Sequence, residues 1–304
     1  MNASRQSISS ESLKRVIIRY DFKGVTSIDT WVSDIKTKFC SKLFKQYNIG
    51  EHGQATIDIN NLEEISEHLS IPLAEINRQP LHLFSESTFE GLHDVVQLEI
   101  TNYSITLVIK CRNYNSIEPY LGFVNTLMLS LLETDPFISI KRIGIRKLDG
   151  FQFVDWENLT KNLNGNAIGV LDEMIKDTAL FREYSDSWYW QKFNSKINFR
   201  RKIRNVQLVS EDHVFQTIYD MDAYIDEEIM KIPENINEDF LKSETTRLNE
   251  ALFEIFTKSI TEYYISSHAK EWYRNLWNII WYSGHKEYTQ KYIKYKTSRV
   301  QYNW

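Results

Sequence analysis

Residues 140–151, IKRIGIRKLDGF, carry one arginine on each side of a glycine. The alternation predicts a β-strand in which Arg142, Gly144 and Arg146 share one face and the intervening isoleucines share the other. Two interpretations stay open. As a structural clamp, both arginines would bind carboxylates in residues 220–228, and the glycine would leave room for an overlying chain. As an anion site, the glycine would let a phosphate approach the backbone.

Asp220 and Asp222, in the sequence DMD, project from one face of another predicted strand. They could hold a divalent cation together with a nearby glutamate. A metal-dependent phosphodiesterase would also need a third ligand and a positioned nucleophile, and no motif supplies either. The sequence also lacks a Gly-rich phosphate loop, a dinucleotide fingerprint, G-x-S-x-G and H-E-x-x-H. We therefore expect a binding protein without a cofactor, and the phosphodiesterase is the third choice.

Charge is distributed unevenly along the chain, although the overall net charge is only -5. Residues 192–204 contain basic residues and no acid, residues 211–262 have a net charge of -10, and residues 263–304 have a net charge of +5. A globally basic nucleic-acid binder is excluded, but a local site is not. The alternative function is therefore binding of RNA or single-stranded nucleic acid by Arg200, Arg201, Lys202, Arg204, Lys294 and Lys296.

The last forty residues combine this positive charge with an aromatic stripe. Together with Leu276 and Ile280, Trp272, Trp277 and Trp281 form a stripe at helical spacing. Such a stripe could pack on the core of its own chain, bind a partner, or stack with nucleic acid beside the lysines. Because tryptophan and arginine dominate protein interfaces, we predict that these three residues bind a protein partner or a second copy of the chain.

The elements that must position these residues follow from hydrophobic periodicity. Alternation of period two predicts strands over residues 15–22, 56–59, 96–109, 138–148, 196–209 and 214–225. Spacings of three and four predict helices over residues 28–43, 117–134, 167–176 and 238–264. This order predicts an α+β fold of antiparallel sheets with packed helices, built from split β-α-β or ferredoxin-like elements and followed by a C-terminal helical extension.

A chain of 304 residues suits two domains. We predict a flexible start over residues 1–12, an α+β domain over 13–151, a second α+β domain over 152–264 that ends in a long helix, and a basic aromatic extension over 265–304. No apolar run approaches the roughly 18 residues that span a bilayer, and no signal peptide is evident. With only two cysteines, the expected location is the cytoplasm, without membrane contact.

The segment RIGIRKLDGF resembles the R-I/L-G-L-R-Y-I/V-N motif of a sporadically distributed, uncharacterised prokaryotic protein family. As in that family, a hairpin, a tyrosine segment (CRNYNSIEPYLGF) and a helix precede the motif, while IYDMDAYI resembles its D-x-D strand and RLNEALFEIFTKSIT its closing helix. Lys147 and Asp149 replace the usual tyrosine and asparagine, and Asn249 stands near a common histidine. The family has no established catalytic residue, and its members often occur among mobile and defence-associated genes. The resemblance, over residues 13–264, therefore implies an accessory role associated with antiviral defence.

Overall fold

A computed structural model describes residues 12–23, 28–55, 76–87, 94–112, 114, 116–135, 137–164, 183–192, 194–207, 213–233 and 236–268. Nine strands in these ranges form one antiparallel sheet, in the order β2-β3-β4-β5-β1-β6-β9-β8-β7. Several helices accompany the sheet, which confirms the α+β class.

The strands are β1 Leu13–Lys23, β2 Phe44–Ala55, β3 Ile76–Ser87, β4 Val95–Thr101, β5 Ser104–Lys110, β6 Ser139–Phe153, β7 Glu183–Lys192, β8 Ser195–Gln207 and β9 His213–Asp226. The helices are α1 Asp29–Ile35, α2 Glu118–Thr134, α3 Trp156–Asn162, α4 Glu238–Ser259 and α5 Glu262–Ser267. Helix α1 continues through a π-helical segment, Lys36–Cys40, and one further α-helical turn, Ser41–Leu43.

The described helices cover one face of the sheet. In β1, Tyr20 donates a hydrogen bond of 2.5 Å to Asn125 of α2, and both side chains are buried. In β9, the Tyr219 hydroxyl donates to the backbone oxygen of Ser259 in α4 at 3.1 Å. The isoleucines, leucines and aromatics of this face form the hydrophobic core. No described helix lies on the opposite face, which we call the open face.

The sheet crosses the predicted domain boundary. Strand β6 pairs with β1 on one side and with β9 on the other, and residue 151 lies inside β6. The division into residues 13–151 and 152–264 therefore separates two halves of one continuous sheet. Of the predicted extension over 265–304, the structure describes residues up to His268, with α5 at its start. Two sets of predicted site residues lie outside the described residues: Trp272, Trp277 and Trp281 for a protein partner, and Lys294 and Lys296 for nucleic acid.

Three strands were not expected from the sequence: β2, β3 and β7. Strands β2 and β7 are the two edges of the sheet, where one neighbour is missing and the burial that creates alternation is weaker. Strand β3 contains Pro80, which pairs with β2 but lies outside the short pairing with β4 at His82–Phe84. The predicted strand over 56–59 and helix over 167–176 fall outside the described residues.

Within the described part of the chain, no helix is both long enough and apolar enough to cross a lipid bilayer.

Candidate functional site

The candidate site lies on the open face where β6, β9 and β8 run side by side. Arg146 of β6 is directly opposite Asp222 of β9, and Asp222 is opposite Asn198 of β8. Asp220 is opposite Arg200 in the same way. These five side chains line a polar recess of about 100 Å³. The strand register alone brings them together, because residues at spacing two share a face of the sheet.

Two arginine–carboxylate pairs span β6 and β9, and we call them the clamp. Arg146 donates to both oxygens of Asp220, from Nε and from Nη2, at 2.6 Å each. Arg142 donates from Nη2 to Asp222 at 2.9 Å. The bonds to Asp220 raise the pKa of Arg146, whereas burial raises the pKa of Asp222 against the opposing effect of both arginines. Two-point pairing of this kind fixes the orientation of both partners.

Gly144 lies between the two arginines and directly opposite Tyr224. The guanidinium carbon of Arg142 lies 4.0 Å from the centre of the Tyr224 ring, a cation–π contact. A Cβ atom at residue 144 would lie 3.3 Å from the Tyr224 Cβ and 3.6 Å from the Arg142 Nε. The glycine therefore accommodates these two side chains of the same chain at close range.

The basic residues of β8 divide between the two faces of the sheet. Arg201 is only 1% exposed and faces the helices, where it binds Asp186 and lies over the rings of Tyr184 and Trp188. This position removes Arg201 from the predicted nucleic-acid surface, because reaching a ligand would require the side chain to leave the core. The correction follows from strand geometry, in which consecutive residues point to opposite faces.

Arg200, Lys202 and Arg204 remain on the open face. Lys202 and Arg204 both bind Glu183 of β7, each at 2.7 Å. Among the described residues, Arg200 makes no ion pair or hydrogen bond and is exposed to solvent. It is therefore the cation of the recess that a ligand could contact without breaking an existing pair.

The geometry does not favour a metal at Asp220 and Asp222. Both oxygens of Asp220 already accept hydrogen bonds from Arg146. The described ranges contain no group of three or more His, Cys, Asp or Glu side chains that could hold a metal ion. Binding a cation here would require the clamp to open, and its arginines would then repel the ion.

The two residues that depart from the family motif lie on the buried face of β6. Lys147 and Asp149 are both buried, and Asp149 accepts a hydrogen bond of 2.9 Å from Ser12. Burial raises the pKa of Asp149 to about 6, although Ser12 and Lys147 act in the opposite direction. Burial likewise raises the pKa of Cys111 to about 12, so its thiol stays protonated and is a poor nucleophile. This group is part of the core and offers no activated residue.

A second polar group, which the sequence did not reveal, joins α1 to the β2–β3 pair. The Nε2 atom of His82 lies 3.1 Å from Asp29, and its Nδ1 atom lies 2.9 Å from the Tyr47 hydroxyl. Burial lowers the pKa of His82 and raises that of Tyr47, so both groups are held neutral. The three residues are distant in sequence and share no motif. Because the Tyr47 hydroxyl is not activated, we assign this group a structural role.

No protein-family model, curated protein or solved structure matches this chain. The resemblance to the motif-bearing prokaryotic family stays a prediction, and the function rests on the geometry of the described residues.

The clamp leads to a stability prediction. Replacing Arg146 by alanine should lower the free energy of unfolding by only about 1 kcal/mol, because its side chain is 44% exposed and solvent screens the pair. Arg200, which lies opposite Asp220 on the neighbouring strand β8, can also partly replace the lost cation. Urea denaturation measures the change, and Arg19→Ala, which removes a similarly exposed pair with Asp21, is the matched control. A loss above about 3 kcal/mol, the range of buried pairs, would contradict this assignment.

Proposed function

We propose that this chain is a non-catalytic binding protein that holds an acidic segment of a protein partner on the open face of its sheet. The observation that carries the proposal is the charge of this face, since its basic residues outnumber its acidic ones although the chain has a net charge of -5. Its basic residues are Arg15, Arg19, Lys23, Lys110, Arg142, Arg146, Lys196, Arg200, Lys202 and Arg204. Its acidic residues are Asp21, Glu99, Glu183, Asp220, Asp222 and Asp226, together with Glu227 and Glu228, which follow β9 and bind Lys23 and Lys196.

The pairing of these charges supports a protein partner. Many of the cations are already bonded to carboxylates of neighbouring strands, so the face presents positive and negative groups at fixed positions. Such a mixed pattern suits electrostatic complementarity with another protein, in which each charge has a defined counterpart. The paired residues of the clamp would hold the surface in a fixed arrangement, and Arg200 would donate hydrogen bonds to a carboxylate of the partner. Arginine is also among the residues enriched at protein interfaces.

A second candidate is binding of single-stranded nucleic acid on the same face. The observation that favours it is the row Arg200, Lys202 and Arg204, at every second position of β8. A phosphate backbone needs a continuous track of cations. Here Glu183 binds both Lys202 and Arg204 and partly neutralises the positive charge of the row, which makes this the weaker candidate.

Charge reversal at Arg200 tests the proposed function. Arg200→Glu should weaken binding of a glutamate-rich peptide by roughly tenfold or more, because it removes an attraction and adds a repulsion. Lys258→Glu, an equal charge change on α4 and therefore on the helix-covered side, is the matched control and should change affinity little. Fluorescence anisotropy at two salt concentrations measures both variants.

The same titration with a single-stranded oligonucleotide of equal charge separates the two candidates. Tighter binding of the oligonucleotide, with a steep dependence on salt, would favour nucleic acid over a protein partner. Equal affinity of wild type and Arg200→Glu for both probes would contradict the use of this face.

We also propose that the half of the sheet around β1 follows the ferredoxin-like, split β-α-β plan. Support comes from the strand order β4-β5-β1-β6, in which every neighbouring pair is antiparallel. Helix α1 follows β1, and α2 connects β5 to β6 across the intervening β1. In this interpretation, β2 and β3 are an insertion that extends the sheet beyond β4.

A further inference from the structure

The structure points to a second interaction surface, distinct from the open face: the outer edge of β7. This strand pairs over all ten of its residues with β8, from Glu183–Arg204 to Lys192–Ser195, without a register shift. It ends the sheet, so within the described part of the chain its other edge has no strand beside it. An edge strand presents a row of backbone donors and acceptors that fits another strand.

The usual protections of an edge strand are missing from β7. It contains no proline and no bulge, and each of its charged side chains is already bonded within its own chain. Glu183 binds Lys202 and Arg204, Asp186 binds Arg201, and Lys192 binds Glu254 of α4. The other edge strand, β2, differs in carrying two glycines, Gly50 and Gly53, which weaken strand pairing. We therefore regard β7 as the edge that is suited to association.

Two exposed aromatic residues lie at the centre of β7. Trp188 is 41% exposed on the helix side, where it stacks on Phe199, and Tyr189 is 55% exposed on the open side. Two adjacent large rings that are both exposed give this edge a local apolar surface of the kind that marks interaction sites. Aromatic residues at such a position supply rigid contact area in interfaces.

We propose that β7 pairs antiparallel with β7 of a second copy of this chain, about a two-fold axis perpendicular to the sheet and centred on Trp188. Paired residues then lie on the same face, which places Trp188 opposite its counterpart and Tyr189 opposite Ser187 of the other copy. A second copy therefore supplies backbone partners for this edge and brings the two Trp188 rings together.

Sedimentation of the full chain over a range of concentrations tests the proposal. Wild type should form a dimer, and the double variant Ser187→Lys with Tyr189→Lys should raise the dimer dissociation constant about tenfold or more, because lysines on an edge oppose pairing. Both sites are exposed, so thermal denaturation should show an intact fold. Ile49→Lys, at a 66% exposed position on the opposite edge, is the matched control. A monomeric wild type, or a dimer unaffected by the β7 lysines, would overturn the proposal.

A cysteine at the predicted axis gives an independent test. Under mild oxidation Trp188→Cys should form a disulfide-linked dimer, and Ile49→Cys should not. The native thiols give little background, because burial raises the pKa values of Cys40 and Cys111 to about 12. If Ile49→Cys cross-links as readily as Trp188→Cys, the β7 axis is wrong.

Discussion

Replacing Arg201 by alanine is expected to lower the free energy of unfolding by about 3–5 kcal/mol, the usual cost of breaking a buried ion pair. Arg201 is 1% exposed, and its partner Asp186 would lose this cation and keep a hydrogen bond from Tyr184 at 2.7 Å. The cation would also be removed from between the rings of Tyr184 and Trp188. Equilibrium denaturation in urea measures the loss.

The neighbouring arginine is a matched control in the same strand. Arg200→Ala should change the free energy of unfolding by less than about 0.5 kcal/mol, because Arg200 is exposed and makes no ion pair among the described residues. The expected contrast between residues 200 and 201 depends only on which face of β8 each occupies. Equal losses in the two variants would mean that the strand is rotated or shifted relative to the structure.

The second large effect concerns Asp149 and pH. Burial raises the pKa of Asp149 from its ordinary value of 3.8 to about 6, so the folded state holds a proton that the unfolded state has released between these values. The contribution to stability is therefore fully present below pH 3.8 and is lost as pH rises through 6. A difference of roughly two pKa units corresponds to about 3 kcal/mol. Ionised Asp149 should destabilise the fold at neutral pH by this amount.

Asp149→Asn isolates this contribution. The stability of the variant relative to wild type should rise by about 3 kcal/mol between pH 4 and pH 7, because asparagine cannot ionise. Glu133→Gln, at an exposed position of α2, is the control for general charge effects. Denaturation curves at several pH values provide the comparison. A difference that stays constant with pH would show that Lys147 and Ser12 compensate the buried carboxylate fully.

Much of the fold could be predicted where burial is one-sided. The alternation in β1, β4, β5, β6, β8 and β9 reflects one face against the core and one face open, which the sequence records directly. Helix α4 begins where the predicted helix over 238–264 begins, and the side chain of Asn237 before it accepts a hydrogen bond from the backbone N–H of Phe240 at 2.9 Å. Pro119 lies in the first turn of α2, where its missing N–H costs little. These features depend on near neighbours in sequence.

The candidate site depends instead on the pairing of strands that are distant in sequence. The sequence placed Arg142, Gly144 and Arg146 on one strand face and pointed to carboxylates near Asp220, but the specific partners follow from the pairing of β6 with β9. The alternation of Ile197, Phe199 and Ile203 already places Arg201 on the buried face and Arg200 on the other, so strand period alone separates the two arginines. The partner of the buried cation, Asp186, follows instead from the register of β8 with β7.

The sequence by itself therefore determined the α+β class, the strand of the arginine motif and the uneven distribution of charge along the chain. Only the tertiary structure decided that strands from both predicted domains form a single sheet, that its open face carries the basic residues, and that β7 is an edge with exposed aromatic rings. The reason is physical: the periodicity of apolar residues reports which face of a strand or helix is buried, and it does not report which strand lies beside it. The register between distant strands is instead chosen by the packing of the whole sheet.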